Sequence, residues 1–490
     1  MNWITDKLNY AINTVKYFKI YIIVQMFTLI TLYDVIPYIG TIGNIITALW
    51  GGYIAVGLLY NKKAFDFKYS KIIGLFFVAV VISVLSNYKL HFFDNIETCI
   101  ILYIVLFILF PPFIESKVGL DKEVFWFSNI TSLFFGLVAW IGFFMYATGT
   151  VWYNYFERFS GLFSNPNTSG LVMAAGVGLS LVAITSVRTM KRKLLYMILH
   201  IINIIINFVM LVLSGSNTAY MMIAAGAIIY IIAVNYIKGH TRKKYFKSIL
   251  ICLFCIVISL VVLSSLISFT INTVTYVPSI VENIQTASLN DKKNIKEENV
   301  TKSENNIDKD DSNSSLSKEP ETSKIEKTDI ERDLELESLD NGRFSRWKIA
   351  IQASKQNILF GCGPRNSYEA LCEYAKHKDI PVYSGDVHNM FIELLLTTGI
   401  VGFSLFFILF IMIIVNLFKL INRVNFETNK FDNLPTFLAV LSLTAMLFIA
   451  NLTESAILFR STPFAMIFWI IGGYLVNMIM ICEEKEYDEN

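Results

Sequence analysis

Residues 399–418 read GIVGFSLFFILFIMIIVNLF, twenty consecutive residues without a charged side chain. A helix of that length crosses the ~30 Å hydrocarbon core of a bilayer, so the stretch predicts a transmembrane helix. Similar stretches recur along the chain and give twelve candidate helices. They lie near 20–37, 40–60, 70–87, 97–114, 124–147, 168–187, 194–213, 217–236, 247–272, 399–420, 434–452 and 463–482. The sequence therefore predicts an all-α, polytopic membrane protein.

The composition agrees with this reading of the apolar stretches. The chain has 490 residues, of which 54% are hydrophobic and 16% are charged. A soluble chain of average composition has about 25% charged residues, so a soluble globular protein is disfavoured. Six cysteines in 490 residues are too few for a secreted disulfide scaffold. The composition also excludes a coiled coil and a collagen-like fibre.

Lysine and arginine are distributed unequally between the two sides of the predicted helices. Sixteen lie in the short connections near 62–71, 188–193, 238–247 and 419–430, whereas the short connections on the other side hold Lys89, Arg158 and Arg460. Cytoplasmic loops carry the excess of basic residues in membrane proteins, which predicts that the rich side is cytoplasmic. We therefore expect a multi-pass protein of the cell membrane.

The pattern divides the chain into five segments. Residues 1–19 are predicted to form an interfacial amphipathic helix, because apolar side chains recur along one face. The other four segments are a first bundle of about nine helices at 20–272, an extracytoplasmic loop at 273–398, three last helices at 399–482 and a cytoplasmic tail at 483–490.

The predicted loop has two parts of different composition. Residues 288–341 contain 16 acidic residues, 9 basic residues and no aromatic residue. Such a stretch buries too little apolar surface to offset the entropy of ordering, so we predict an acidic, disordered insert. Residues 342–398 regain tryptophan, phenylalanine and tyrosine, and we expect them to fold on the outer face of the membrane as the catalytic part of the loop.

Arg158 is the first candidate site residue, within ERFSGLFSNPN at 157–167. It is either an interfacial arginine beside aromatic residues or an anion clamp, because a guanidinium matches phosphate geometry bidentately. Asn165 and Asn167 flank a proline in a turn that opens the next helix. The N-terminus of a helix that faces outward also favours an anion.

Two further arginines lie in NGRFSRW at 341–347. Phe344, Trp347 and Ile351 are spaced as an apolar helical stripe, which suits a helix lying on the membrane surface. Arg343 and Arg346 either anchor that helix or supply a second positive charge to a lipid-bound diphosphate.

His388 lies in DVHN at 386–389, where a loop meets an apolar run, with Asn389 beside it. It is either a structural histidine or a base, because an imidazole titrates near neutral pH and can accept a proton from a sugar hydroxyl. Glu454, near the outer end of the eleventh predicted helix, either pairs with an arginine or holds a substrate hydroxyl.

Two turns and one pair of cysteines leave alternatives open. The turn SGSNT at 214–218 either packs two helices closely or offers its backbone to a substrate. The turn GCGPRN at 361–366 is either plain turn chemistry or an anion nest. Cys362 and Cys372 share the outer loop, and the sequence leaves their pairing open.

No motif for a soluble cofactor or a nucleotide is found in the sequence. It has no Walker-type phosphate loop, no His/Cys metal cluster, no nucleotide fingerprint and no serine nucleophile elbow. We therefore expect no metal, no cofactor and no nucleic-acid partner.

In order along the chain, these features are an outward Arg-x-x-Gly with Asn-Pro-Asn, a Ser-Gly-Ser turn, Gly-Arg-x-x-x-Trp, Gly-x-Gly-Pro, and His-Asn leading into Thr-Gly-Ile-Val-Gly. The order resembles the O-antigen ligase/polymerase family, the Wzy-type membrane glycosyltransferases. The resemblance is densest over 158–236 and 342–421. The acidic insert at 288–341 is not a feature of that family.

The resemblance implies a glycosyltransferase-C-like helical fold and a metal-independent enzyme that uses a polyprenyl-diphosphate-linked glycan as donor. It implies that Arg158 and Arg343 or Arg346 hold the diphosphate and that His388 is catalytic. Asn165, Asn167, Asn389 and Glu454 are expected to support them.

We expect a polymerase of polysaccharide repeat units, acting in capsule or exopolysaccharide assembly with other assembly proteins. A ligase that moves a finished glycan to a terminal acceptor shares the donor chemistry and stays open. A transporter of lipid-linked glycan is the alternative from another class. It is disfavoured because few ionisable residues fall in the middle of the predicted helices.

Overall fold

The chain is described here from a computed structural model. The structure describes residues 7, 10–32, 36, 38–61, 63, 67–111, 113–114, 116–150, 158–186, 193–242, 245–286, 343–376, 386–423 and 433–488. The predicted acidic insert at 288–341 and most of the predicted interfacial helix before residue 10 lie outside the described residues. The division into five segments stays a prediction.

The described chain is helical. The first helices are α1 (Val15–Thr31), α2 (Ile39–Tyr60), α3 (Ser70–Ser86), α4 (Phe92–Ile104, continued by a π-helical turn, Val105–Leu109), α5 (Lys117–Ala147), α6 (Pro166–Ser186) and α7 (Lys193–Ser214). They are followed by α8 (Asn217–Arg242), α9 (Tyr245–Val274), α10 (Arg343–Ala353), α11 (Ser367–Lys376), α12 (Met390–Arg423), α13 (Leu434–Ile449) and α14 (Pro463–Asp488).

Ten helices of the described chain are long and apolar enough to cross a membrane, which confirms the polytopic fold class. The predicted count of twelve is not confirmed. The two predicted spans outside that set correspond to α1 and α3, which have 17 residues each. Helix α1 also carries two lysines, and it begins and ends five to six residues before the predicted span at 20–37.

The helices differ in how far the rest of the molecule covers them. The apolar stretch of α14 is 94% buried, whereas the corresponding stretch of α9 has no buried residue. Helix α6 packs against α5, α7, α8 and α13. Helices α6 and α14 therefore lie at the centre of the bundle. Helix α9 lies at its edge, so its apolar side chains face lipid.

Buried amides join α5, α6 and α7. Asn203 Nδ2 donates to the Ser132 carbonyl at 2.7 Å and to Ser180 Oγ at 2.8 Å. A Cβ at Gly136 would overlap the Asn203 amide, so only glycine admits this approach. His200, predicted near mid-span, is buried beside these groups, and its Nε2 lies 3.0 Å from Asn129 Oδ1. Satisfied polar groups of this kind fix helix pairing inside an apolar bundle.

One ion pair lies inside the helical bundle. Lys19 is 2% exposed, and its Nζ lies 2.6 Å from Glu123 Oε1. Tyr474 OH donates to the same carboxylate oxygen at 2.9 Å. Lys19 was predicted to lie in the interfacial segment, but α1 begins at Val15 and carries Lys19 into contact with α5 and α14.

Helix α12 breaks at Gly399, where φ is 64° and ψ is −169°. Without the continuing helix, the Leu396 and Thr397 carbonyls lose their usual i+4 partners. They accept hydrogen bonds from Cys362 N–H at 3.0 Å and Gly363 N–H at 2.9 Å. The break therefore gives α12 a short first part and a longer apolar part after it.

The other side of the break is satisfied by the same crossing segment. Ile400 N–H donates to the Ile358 carbonyl at 2.8 Å, and Val401 N–H donates to the Leu359 carbonyl at 3.2 Å. Gly361 has φ 69°, and a Cβ there would overlap the α12 backbone. The glycine-rich turn thus clamps the broken helix, and its N–H groups at 361, 362 and 363 are all bonded to carbonyls, which rules out the anion nest.

A second, small hydrophobic core is formed by residues that precede the break at Gly399. Helices α10 and α11, the glycine turn and the first part of α12 share it. Its buried members are Ala350, Ala353, Cys362, Leu371, Val387 and Leu396. We call the part of the chain at 343–398 the loop unit. His388 directly follows one of these core residues, so the position of His388 is set by a packed unit.

Candidate functional site

The backbone at His388 is held by its neighbours. His388 has a left-handed φ of 53°, a conformation that is uncommon for residues other than glycine. Its N–H donates to Asp386 Oδ1 at 3.2 Å. Trp347 Nε1 donates to the Val387 carbonyl at 3.0 Å, which ties the segment to α10. These bonds fix the backbone that carries the imidazole.

Asn389 begins helix α12 and links it to a neighbouring loop. Its Oδ1 accepts from the N–H groups of Phe391 at 3.0 Å and Ile392 at 3.2 Å, the role of an N-cap. Its Nδ2 donates to the Leu452 carbonyl at 2.9 Å. Asn389 thereby joins the start of α12 to the connection between α13 and α14, which carries Glu454.

Glu454 joins His388 to Arg343. Its Oε2 lies 3.0 Å from His388 Nδ1, and its Oε1 lies 2.8 Å from Arg343 NH2. The three side chains are 24%, 16% and 11% exposed for His388, Arg343 and Glu454, respectively. A carboxylate oxygen beside Nδ1 favours the tautomer in which Nδ1 carries the hydrogen, and in a neutral imidazole of that tautomer Nε2 is the acceptor.

Arg460 forms ion pairs with two further carboxylates, those of Asp386 and Glu393. Its NH2 lies 3.2 Å from Asp386 Oδ1 and 3.3 Å from Glu393 Oε1. Its Nε donates to the Ser455 carbonyl at 3.2 Å. The Glu393 carboxylate raises the pKa of the Arg460 guanidinium above its ordinary value, and Asp386 adds to the effect. Arg460 thus stiffens the segment that carries His388.

Arg158, in the connection between α5 and α6, contacts the turn between α7 and α8. Its NH1 donates to the Gly215 carbonyl at 2.9 Å, and its NH2 donates to Asn167 Oδ1 at 3.0 Å. Gly215 has φ 55° and lies against the Arg158 side chain. Asn165 Oδ1 accepts from Asn167 N–H at 2.8 Å and so caps α6, where Pro166 is the first residue. The Ser-Gly-Ser turn therefore positions an arginine as well as packing two helices.

One hydrogen bond joins the two groups of side chains. Thr218 Oγ1, just after the turn that holds Arg158, lies 3.1 Å from Thr453 Oγ1. Thr453 directly precedes Glu454, the partner of His388. Arg158 and His388, which are 230 positions apart, are therefore brought to the same end of the bundle. We call this the site end; the charge pattern predicts that it faces the exterior.

Arg346 is half-buried on α10, one turn after Arg343. Among the described residues, no acidic side chain forms an ion pair with Arg346. Arg343 keeps NH1 and Nε for other partners, because only its NH2 contacts Glu454. Arg343 thus pairs with the Glu454 carboxylate, whereas Arg346 has no carboxylate partner in the described chain.

Arg460 was not among the predicted site residues. In the sequence it stood out only as one of three basic residues in the short outer connections. The scarcity of basic residues on the outer side was the signal that could have selected Arg460. An arginine on that side can form an ion pair with Asp386 of the outer loop. Its second partner, Glu393, was hidden inside an apolar run.

Cys362 and Cys372 are free thiols. Burial raises the pKa of the Cys362 thiol to about 12. In the described part of the chain, no three His, Cys, Asp or Glu side chains are grouped so as to hold a metal ion.

Residues 202–407 match the model of a family described as O-antigen ligase. The resemblance predicted from the motifs is thereby confirmed, and it supports membrane glycan transfer of the O-antigen ligase or polymerase type by a glycosyltransferase-like enzyme. No curated protein matches the chain. The matched residues include Arg343, Arg346 and His388, whereas Arg158 and Glu454 lie outside them.

Proposed function

We propose that this protein polymerises lipid-linked polysaccharide repeat units on the outer face of the cytoplasmic membrane. It would transfer a glycan from a polyprenyl diphosphate to a hydroxyl group of an acceptor glycan. The observation that carries the proposal is the pairing of His388 Nδ1 with Glu454 at 3.0 Å, beside an arginine-bearing helix. This pairing leaves Nε2 of His388 as an acceptor for a proton.

Arginines would bind the diphosphate of the donor. Guanidinium groups match phosphate oxygens bidentately, and Arg158 and Arg346 would supply such groups. Arg343 would contact a phosphate through NH1 or Nε while its NH2 holds Glu454. These fixed cations stabilise the negative charge that grows on the leaving diphosphate.

The reaction itself requires one base and no covalent intermediate. The acceptor oxygen attacks the anomeric carbon, the bond from that carbon to the diphosphate breaks, and the diphosphate leaves with the electron pair. His388 Nε2 takes the hydroxyl proton as the new bond forms. The carbon passes through an oxocarbenium-like state, and a single displacement inverts its configuration. No step in this sequence requires a metal ion.

Reconstitution in proteoliposomes with a polyprenyl-diphosphate oligosaccharide tests the proposal. We expect a ladder of products that differ by one repeat unit and carry the inverted linkage. A single adduct would assign the protein as a ligase, and no product would overturn glycan transfer. Chelation of divalent metals with EDTA is expected to leave the ladder unchanged.

A further inference from the structure

A cavity of about 400 Å³ lies at the start of α4, against the beginning of α11. It is lined by His91, Asp94, Glu97, Arg365, Tyr368 and Glu369. None of these six residues belongs to the His388 or Arg158 groups. The volume lies within the range of about 300–1,000 Å³ that is usual for small-molecule sites.

The spacing of the residues explains how the cavity is built. His91, Asp94 and Glu97 are three residues apart, so they lie along one face of the first turns of α4. Tyr368 and Glu369 open α11 on the opposite wall, and His91 Nε2 lies 2.7 Å from Glu369 Oε1 across it. The cavity thus separates a membrane helix from the loop unit.

The chemistry of the lining differs from that of the proposed diphosphate site. Three carboxylates, one guanidinium and one imidazole give a cavity that is net negative when His91 is neutral. Carboxylate oxygens accept strong hydrogen bonds from hydroxyl and amine groups, and they repel phosphate. The Tyr368 ring is 46% exposed beside them and offers an apolar face.

One polar atom of the wall has no partner. Glu369 Oε2 is buried and accepts no hydrogen bond from any described residue, although Oε1 of the same carboxylate contacts His91. A buried acceptor without a donor is costly, and a ligand hydroxyl would satisfy it. Glu369 therefore points to a ligand that donates hydrogen bonds.

A smaller cavity of about 110 Å³ adjoins the first one and shares Glu369 with it. Asn87, Gln356, Asn357 and Asn366 are among the residues that line it. Asn87 and Asn366 donate through Nδ2 to the Gly361 and Cys362 carbonyls, respectively. The space beside Glu369 therefore continues from the first cavity into a second one.

The walls are held in place before any ligand binds. Asn95 Oδ1 accepts from Arg365 N–H at 3.0 Å, and Asn95 Nδ2 donates to Asn366 Oδ1 at 3.2 Å. Arg365 Nε donates to Thr98 Oγ1 at 2.9 Å. A site whose polar groups are already fixed loses less entropy on binding.

The cavity also belongs to the same packed unit as His388. Leu371, in the helix that carries Glu369, shares the small core with Val387, the neighbour of His388. An acceptor glycan that reached from the cavity to His388 would therefore lie against the loop unit.

We propose that this cavity is a subsite that binds the acceptor glycan through the hydroxyl or amine groups of neutral or amino sugars. The inference rests on the proposed glycan transfer, for which it supplies the acceptor-holding surface. It predicts selectivity against anionic repeat units, because the lining carries more carboxylates than cations.

The test uses the full-length protein in proteoliposomes, with a saturating polyprenyl-diphosphate donor. The acceptor probe is a set of oligosaccharides released by mild acid from the surface polysaccharide of the producing cells. Glu369→Gln and Glu97→Gln are expected to raise the KM for the acceptor at least about tenfold, with kcat within about twofold. The matched control is Lys376→Gln, an exposed change on the same helix and outside both cavities.

Several outcomes overturn the subsite. An unchanged acceptor KM in both variants, with an active wild type and unchanged unfolding temperatures, contradicts it. An increase in the donor KM alone also contradicts it. If the wild type transfers no glycan, the proposed function fails separately, and direct calorimetric binding of the same oligosaccharides still decides the subsite. Calcium binding at Glu369 without oligosaccharide binding would assign a cation site instead.

Discussion

At the scale of single residues, the account depends on how Glu454 divides its two oxygens between His388 and Arg343. The carboxylate orients the imidazole and is itself held by the guanidinium. A partner that orients a catalytic histidine contributes through that histidine, so its loss lowers the rate while substrate binding persists.

We expect Glu454→Gln and Arg343→Gln each to lower kcat by at least about tenfold. Because both changes act on the same imidazole, the double variant should lose much less than the product of the two single losses. Single-turnover transfer rates measure this coupling. Lys355→Gln, an exposed change in the loop unit, is the control, and fully multiplicative losses would contradict the arrangement.

Cys362 gives a second prediction at this scale. Its thiol is 6% exposed, and burial raises its pKa to about 12, so little thiolate forms near neutral pH. We expect a maleimide to label Cys372 in Cys362→Ala much faster than it labels Cys362 in Cys372→Ala. Equal labelling rates, or a disulfide between the two cysteines in the purified protein, would show that the small core is open.

The sequence indicated most of these residues but not their contacts. Arg158, Arg343, His388 and Glu454 stood out because charged and titratable groups are rare near the predicted outer surface. Glu454 lies 66 positions from His388 and 111 from Arg343. Only the tertiary fold decides that it meets both, so the sequence left its role open.

At the scale of helices and turns, the break of α12 is the feature that supports the site. Gly399 and Gly361 each have a positive φ, and each lies in close contact with the backbone of the other segment. The glycine turn was predicted, whereas its function as a clamp was not, because the paired carbonyls at Leu396 and Thr397 were assigned to the loop that precedes the predicted helix at 399–420.

We expect Gly399→Ala and Gly361→Ala each to destabilise the protein by about 1–3 kcal/mol or more, since a Cβ would overlap backbone at a strained φ. Unfolding temperature in detergent, followed by intrinsic fluorescence, measures the effect. Gly52→Ala is the control, because that position has open space around it. Unchanged unfolding of both clamp variants would contradict the clamp.

The contact of α4 with α11 should depend on pH. The Glu369 carboxylate raises the pKa of His91 above its usual value of about 6.5. A raised pKa in the folded state adds stability that is full below the unfolded value and is lost as pH rises through the folded value. His91→Gln should therefore lower the unfolding temperature near pH 5.5, but not at about pH 9.

That difference is measured as the unfolding temperature of variant and wild type across the pH range. Glu369→Gln should show the same loss at low pH, and added salt should weaken it because His91 is 44% exposed. An effect of His91→Gln that grows toward alkaline pH would contradict this account of the contact.

At the scale of the whole molecule, the sequence predicted the membrane fold because apolar runs and basic loops reflect the bilayer itself. The exact number of spans was less accessible. Helices α1 and α3 are each 17 residues long, at the lower limit for crossing a bilayer, and α1 includes a lysine that only a buried partner on another helix stabilises.

The orientation of the bundle is a prediction that can be tested directly. On a background without cysteine, Lys355→Cys in the loop unit should react with a membrane-impermeant maleimide in intact cells. Lys68→Cys, on the lysine-rich side, should react only after permeabilisation. The opposite pattern would place the loop unit in the cytoplasm and remove the proposed acceptor side.

The most direct test of the central claim is the rate of glycan transfer from a purified polyprenyl-diphosphate donor by reconstituted His388→Ala and Arg158→Ala proteins. If a base and a diphosphate-binding arginine act together at the site end, both variants fold normally and lose at least about 100-fold in rate. Transfer at the wild-type rate by both variants would contradict the account.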